Sequence, residues 1–170
     1  MVKVGLETCP DCKVALPRSD GPRHAYLGGS ASCWAAYGEL LAREYGDRAY
    51  MAAHRQTVDS YCAQHPGRPE RRTIQSINVH LAGLCLVIER GCTGDFARRH
   101  IAKLTEGFED RFRWLEPPPS LGEVRVTDIL AADGATAHAR EVRRWAESVW
   151  SAWEPHHPHV RALVDAALRS

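Results

Sequence analysis

Apolar residues recur at helical spacing along most of the chain, and the breaks between the runs carry helix-stopping residues. From Cys33 to Tyr45 the spacing predicts a first helix, with capping hydroxyls in Ser30-Ala31-Ser32 and a stop at Gly46. A second helix is predicted from Asp47 through Tyr50, Ala53, His54, Val58 and Tyr61, until Gln64-His65-Pro66-Gly67 breaks it in a tight reversal. Pro69 suits a first helical turn, and Ile74, Ile77, Leu81, Leu84, Val87 and Ile88 then form a wide apolar face that ends before Gly91. A fourth, amphipathic helix follows from Gly94-Asp95 to Gly107, with Phe96, Ile101 and Leu104 inward.

Residues 108–126 break the pattern. Pro117-Pro118-Pro119 and the short β-branched stretch Val124-Arg125-Val126 read as an extended crossover inside one domain. Beyond it the pattern predicts a short helix from Thr127 to Ala132 and a long one from Ala135 to Trp153, with Val142, Trp145, Val149 and Trp153 near one stripe. Pro155 interrupts the pattern, and a last helix covers His159 to Leu168. The expected fold class is all-α: a bundle of about six helices forming a single domain over 1–170, in which residues 1–33 make a small N-terminal zinc knuckle packed on 34–170.

Composition narrows the function classes. Over 170 residues, 44% hydrophobic and 25% charged side chains suit an ordinary globular core. The formal charge of +1 creates no field that would recruit nucleic acid. A nucleic-acid role would need Arg68, Arg71, Arg72, Arg98, Arg99 and Lys103 on one face. Neither a secretory leader nor an apolar run of about 18 residues is present, so the expectation is a cytoplasmic protein with no membrane span. The six cysteines are then expected to be reduced.

The first three cysteines carry the strongest chemical signal. Cys9-Pro10-Asp11-Cys12, His24 and Cys33 give the spacing C-x2-C-x11-H-x8-C. A two-residue gap lets both thiolates of a turn face one tetrahedral ion, so this set predicts structural zinc. A redox pair ranks second, because Lys13 to Pro22 is turn-rich instead of opening a helix. Cys62, Cys85 and Cys92 read as small buried residues.

Nine histidines raise the question of a further site. His54 and His65 are eleven residues apart on one helix, which separates them by roughly 16 Å. A hairpin folded near residue 67 would instead bring His54 beside His80, with Glu39 of the first helix at a similar height. His156 or His157, at the entry to the last helix, could add a third imidazole. The expected inner metal is zinc or iron, with Asp59 or Glu39 as proton acceptor and Tyr61 holding a substrate oxygen.

The grouping Cys9-Pro10-x-Cys12, His24-x-Tyr26, Cys33-Trp34-x-x-Tyr37, His54-x4-Asp59-x-Tyr61-x-x-Gln64-His65-Pro66-Gly67 and His80-Leu81 resembles an uncharacterised bacterial domain family of unknown function. That resemblance implies no activity. The helix-borne histidines are also similar, at the level of architecture, to metal-dependent DinB-type bundles, although a late His-x3-His pair is absent.

The leading expectation is a metal-dependent enzyme performing hydrolysis or group transfer on a small molecule at the inner site. Its rival is a non-catalytic, zinc-stapled interaction module with one metal per chain. The sequence leaves the oligomeric state open.

Overall fold

The computed structural model describes residues 5–107 and 109–169. Two strands, β1 (Leu6–Thr8) and β2 (Ala15–Pro17), precede eight α-helices among the described residues: α1 (Ala31–Gly46), α2 (Arg48–Met51), α3 (His54–Gln64), α4 (Arg71–Leu84), α5 (Gly94–Gly107), α6 (Val126–Leu130), α7 (Gly134–Ala152) and α8 (His157–Arg169). The chain is therefore a helical bundle, as its hydrophobic pattern predicts, and a small cysteine-bearing hairpin precedes the helices. None of the described helices is long and apolar enough to cross a membrane.

Local chemistry sets the helix ends. Ser30 accepts the Cys33 amide at 3.1 Å and opens α1. At α4, the Glu70 amide donates to Thr73 Oγ1 at 3.0 Å within a reciprocal cap. The predicted second helix is split in two. The Ala53 amide closes back on the Tyr50 carbonyl, a tighter bond than an α-helix makes, and α3 restarts at His54. The hairpin escaped the sequence pattern because three-residue strands are too short to display a period of two.

Residues 65–70 join α3 to α4 and return the chain so that the two helices pack on each other. Gly67 has φ +71°, and a Cβ there would lie 2.3 Å from the Tyr26 carbonyl oxygen. Only glycine allows both the left-handed turn and that close approach. The pairing of the helices slips accordingly, and His80 falls opposite Asp59 instead of His54.

The core is continuous from the hairpin to α8 and includes Cys9, Val14, Tyr61, Leu81, Trp145, Trp153 and Leu163. Buried Trp145 donates its indole N–H to Gln64 Oε1 at 3.0 Å, and Trp153 donates to the Ala63 carbonyl at 3.0 Å. The amide of Gln64 donates in turn to the carbonyls of Leu121 and Val124. These bonds fasten α7 and the extended crossover to the end of α3, where one element of the site described below is held.

Candidate metal centre

The turn between β1 and β2 carries Cys9 and Cys12. The Cys9 amide donates to Val14 O at 2.8 Å, and Lys13 takes a left-handed φ of 64°, so the chain curls tightly with both thiols inward. Cys33 projects from the first turn of α1, and His65 follows the last residue of α3. The ligand atoms of Cys9, Cys12, Cys33 and His65 all lie within 4.8 Å of one another, and the four residues are at most 2% exposed. This buried cluster can hold a metal ion.

Its edges are defined by two contacts: Cys12 Sγ stands 3.8 Å from Cys33 Sγ, and Cys33 Sγ stands 3.4 Å from His65 Nε2. His65 Nδ1–H donates to the Tyr61 carbonyl at 2.7 Å, which fixes the tautomer and presents Nε2 to the sulfurs. The Tyr61 hydroxyl donates to Cys33 Sγ at 3.7 Å, while its ring stacks between those of Tyr37 and His65. Gly29 gives this arrangement room, since a Cβ there would lie 2.8 Å from the Tyr61 hydroxyl.

Three crowded thiols repel each other's charge. Hydrogen bonding with Cys12 and Cys33 drives the Cys9 thiol far below its usual range, whereas Cys12 and Cys9 together drive Cys33 far above it. Burial alone would lower His65, but the hydrogen bonds and charges of Cys12 and Cys9 outweigh it and hold the imidazole at about 10. A bound cation would relieve this conflict by letting the thiols ionise together.

His65, and not His24, completes the set. The His24 Nδ1 lone pair accepts the amides of Tyr26 and Leu27 at 3.3 and 3.1 Å, so this imidazole closes the turn ahead of α1. The signal for His65 was present in the chain. A histidine directly before proline lies past the last turn of its helix and is free to swing inward.

The remaining predicted donors do not converge. His54 Nδ1–H donates to Glu44 at 2.7 Å, and its Nε2 meets the Tyr45 hydroxyl at 3.2 Å. His80 Nδ1–H donates to Asp59 at 2.8 Å. His156 Nε2–H donates to the Glu116 carbonyl at 2.8 Å, and His157 Nε2–H to the Trp150 carbonyl at 2.9 Å while stacking on the Trp150 ring. Glu39 is exposed on α1, so the carboxylate that reaches His54 is Glu44, five residues further along. Tyr61 belongs to the cysteine cluster, and Asp59 is bound by Arg55 as well as His80. Among the described residues, the cysteine–histidine cluster is the one group of three or more donors that could hold a metal. The slip between α3 and α4 is what separates His54 from His80.

A family model described as a family of unknown function matches residues 7–154. The chain belongs to this family, DUF5946. The matched span contains all four cluster donors, together with α1 to α7. No curated protein and no solved structure matches the chain.

Proposed function

We propose that the chain binds one zinc ion through Cys9, Cys12, Cys33 and His65, and that the ion is structural: it staples the N-terminal hairpin to α1 and to the end of α3 in a non-catalytic helical module. The observation that carries this reading is that four buried soft donors gather within 4.8 Å of one another, with two of their six edges at tetrahedral lengths. With zinc–sulfur and zinc–nitrogen bonds of about 2.3 and 2.05 Å, tetrahedral geometry puts two sulfurs about 3.8 Å apart and sulfur and nitrogen about 3.5 Å apart. The corresponding edges here are 3.8 and 3.4 Å.

Four protein donors fill a tetrahedral shell and leave no position for water or substrate, which favours a structural over a catalytic ion. Burial of every donor points the same way. An inner metal at His54, His80, His156 and His157 is not part of this reading, because among the described residues these imidazoles do not gather with other donors around a common point. The six free cysteines fit a reducing compartment.

Metal analysis of the purified chain tests the proposal. The expected content is about one equivalent of zinc per chain, retained in His54→Ala and lost in Cys33→Ser. Two equivalents, or zinc retained by Cys33→Ser, would overturn it.

A further inference from the structure

Away from the metal centre, residues on both sides of the break between α2 and α3 line a cleft of about 760 Å³ with the first turns of α5. That volume suits a small organic molecule. Met51, Ala52 and Val58 give the cleft an apolar floor, where Met51 is 37% exposed. Arg48 of α2, Arg55 of α3 and Arg98 of α5 line it as well.

Part of this lining is already locked in place. Arg55 donates from Nε to Asp59 Oδ2 at 2.8 Å and from Nη2 to Asp59 Oδ1, so a buried carboxylate fixes the guanidinium and leaves its Nη1 edge for another acceptor. The start of α5 presses on the stem of the same side chain, since a Cβ at Gly94 would lie 3.3 Å from Arg55 Cβ. His54 is held from both ring nitrogens, by Glu44 at 2.7 Å and by the Tyr45 hydroxyl at 3.2 Å, and stands as a flat wall of the cleft. Arg48 and Arg98 are exposed, and among the described residues neither is paired with a carboxylate. A merely solvated helix face would carry its cations on one helix and leave all of them mobile. Here they come from three helices around an apolar floor, and one is fixed.

We propose that this cleft is a binding site for small phosphate monoesters with an apolar, flat body, of the nucleoside monophosphate class. Arg48 and Arg98 supply the unpaired charge for the phosphate dianion, and the Nη1 edge of Arg55 gives it a directional donor. The body of the ligand covers Met51 and Val58 and lies against the His54 ring. Asp95 lines the same cleft, and its carboxylate opposes an extended polyanion, which selects one phosphate group over a nucleic-acid strand. Binding here uses none of the zinc donors.

Calorimetric titration of the zinc-loaded full chain tests the site with four probes: adenosine monophosphate, adenosine, inorganic phosphate and single-stranded oligoadenylate. The expected result is saturable binding of the monophosphate, at least about tenfold tighter than adenosine or phosphate. Arg48→Gln and Arg98→Gln, both at exposed positions, should each weaken it about tenfold while leaving zinc content and helicity unchanged. Met51→Ser should weaken the monophosphate and leave inorganic phosphate as it was. Failure of the monophosphate to bind, or unchanged affinity in both arginine variants, would overturn the site. Adenosine binding as tightly as its monophosphate would overturn the role of the phosphate, and inorganic phosphate binding as tightly would overturn that of the body. Oligoadenylate binding more tightly than the monophosphate would make this a nucleic-acid surface instead. Zinc content is read separately, so failure here leaves the structural-zinc reading intact, and the reverse holds.

Discussion

His65 Nε2 lies 3.4 Å from Cys33 Sγ across a sequence separation of 32 residues, one imidazole from the end of α3 meeting one thiol from the start of α1. This contact makes the metal centre a long-range tie between the hairpin, the first helix and the third, so its chemistry and the stability of the fold are linked.

The first prediction separates the two histidines. His65→Ala should lose its zinc, whereas His24→Ala should keep about one equivalent, because His24 stands outside the donor cluster and its Nδ1 lone pair accepts the turn amides of Tyr26 and Leu27. Metal analysis of the two purified variants checks this.

Stripping the metal with a strong chelator should loosen the N-terminal hairpin and expose three thiols, Cys9, Cys12 and Cys33, to Ellman's reagent. Binding energy at a structural zinc site is folding energy, so losing even about 5 kcal/mol would lower Tm by roughly 10–20 °C. Calorimetry with and without chelator, followed by zinc add-back, measures the effect.

His80 gives the fold a pH dependence. Burial would lower its pKa, but the Cys62 charge and the Asp59 hydrogen bond outweigh burial and hold it at about 10. In the unfolded chain a histidine titrates near about 6.5. The stabilising attraction is therefore complete below the unfolded value and is lost as the pH rises through the folded one. Denaturant unfolding from pH 6 to pH 10 should show wild type losing stability relative to His80→Gln over that window. Parallel curves would disprove the assignment.

A second buried carboxylate ties α1 to α3 and α7. Glu44 is 0% exposed and accepts hydrogen bonds from His54, Thr57 and His138, at 2.7, 2.5 and 2.9 Å. Glu44→Ala strands these three donors and should cost about 3–5 kcal/mol. Glu44→Gln keeps the shape but can accept at only one of its two side-chain atoms, and should fall between the two. Urea titration of the three proteins establishes the order.

Gly83→Ala should destabilise by about 1–3 kcal/mol, since the added methyl overlaps the Asp59 carboxylate and forces α3 and α4 apart. The unfolding midpoint in urea reports on this one contact.

Most helices were legible in the chain because each carries its own apolar stripe and its own stop. The all-α class follows from such local signals, and so does the gathering of Cys9 and Cys12, whose two-residue spacing needs only a tight turn. The split between α2 and α3 was not legible, since it rests on a single tightened hydrogen bond at Ala53. Glu39 was the wrong carboxylate for His54 because the reach of α1 past its neighbours depends on how it packs.

The hydrophobic periodicity and the spacing of the first cysteines determined by themselves that this would be a helical bundle with soft metal donors near its N-terminus, since both are set within a few residues of chain. Tertiary structure alone decided that His65 replaces His24, that Glu44 takes His54, and that Asp59 takes His80. These pairings depend on the register between helices, which is set by the length and path of the 65–70 connection and by contacts with Tyr26 that no local pattern encodes.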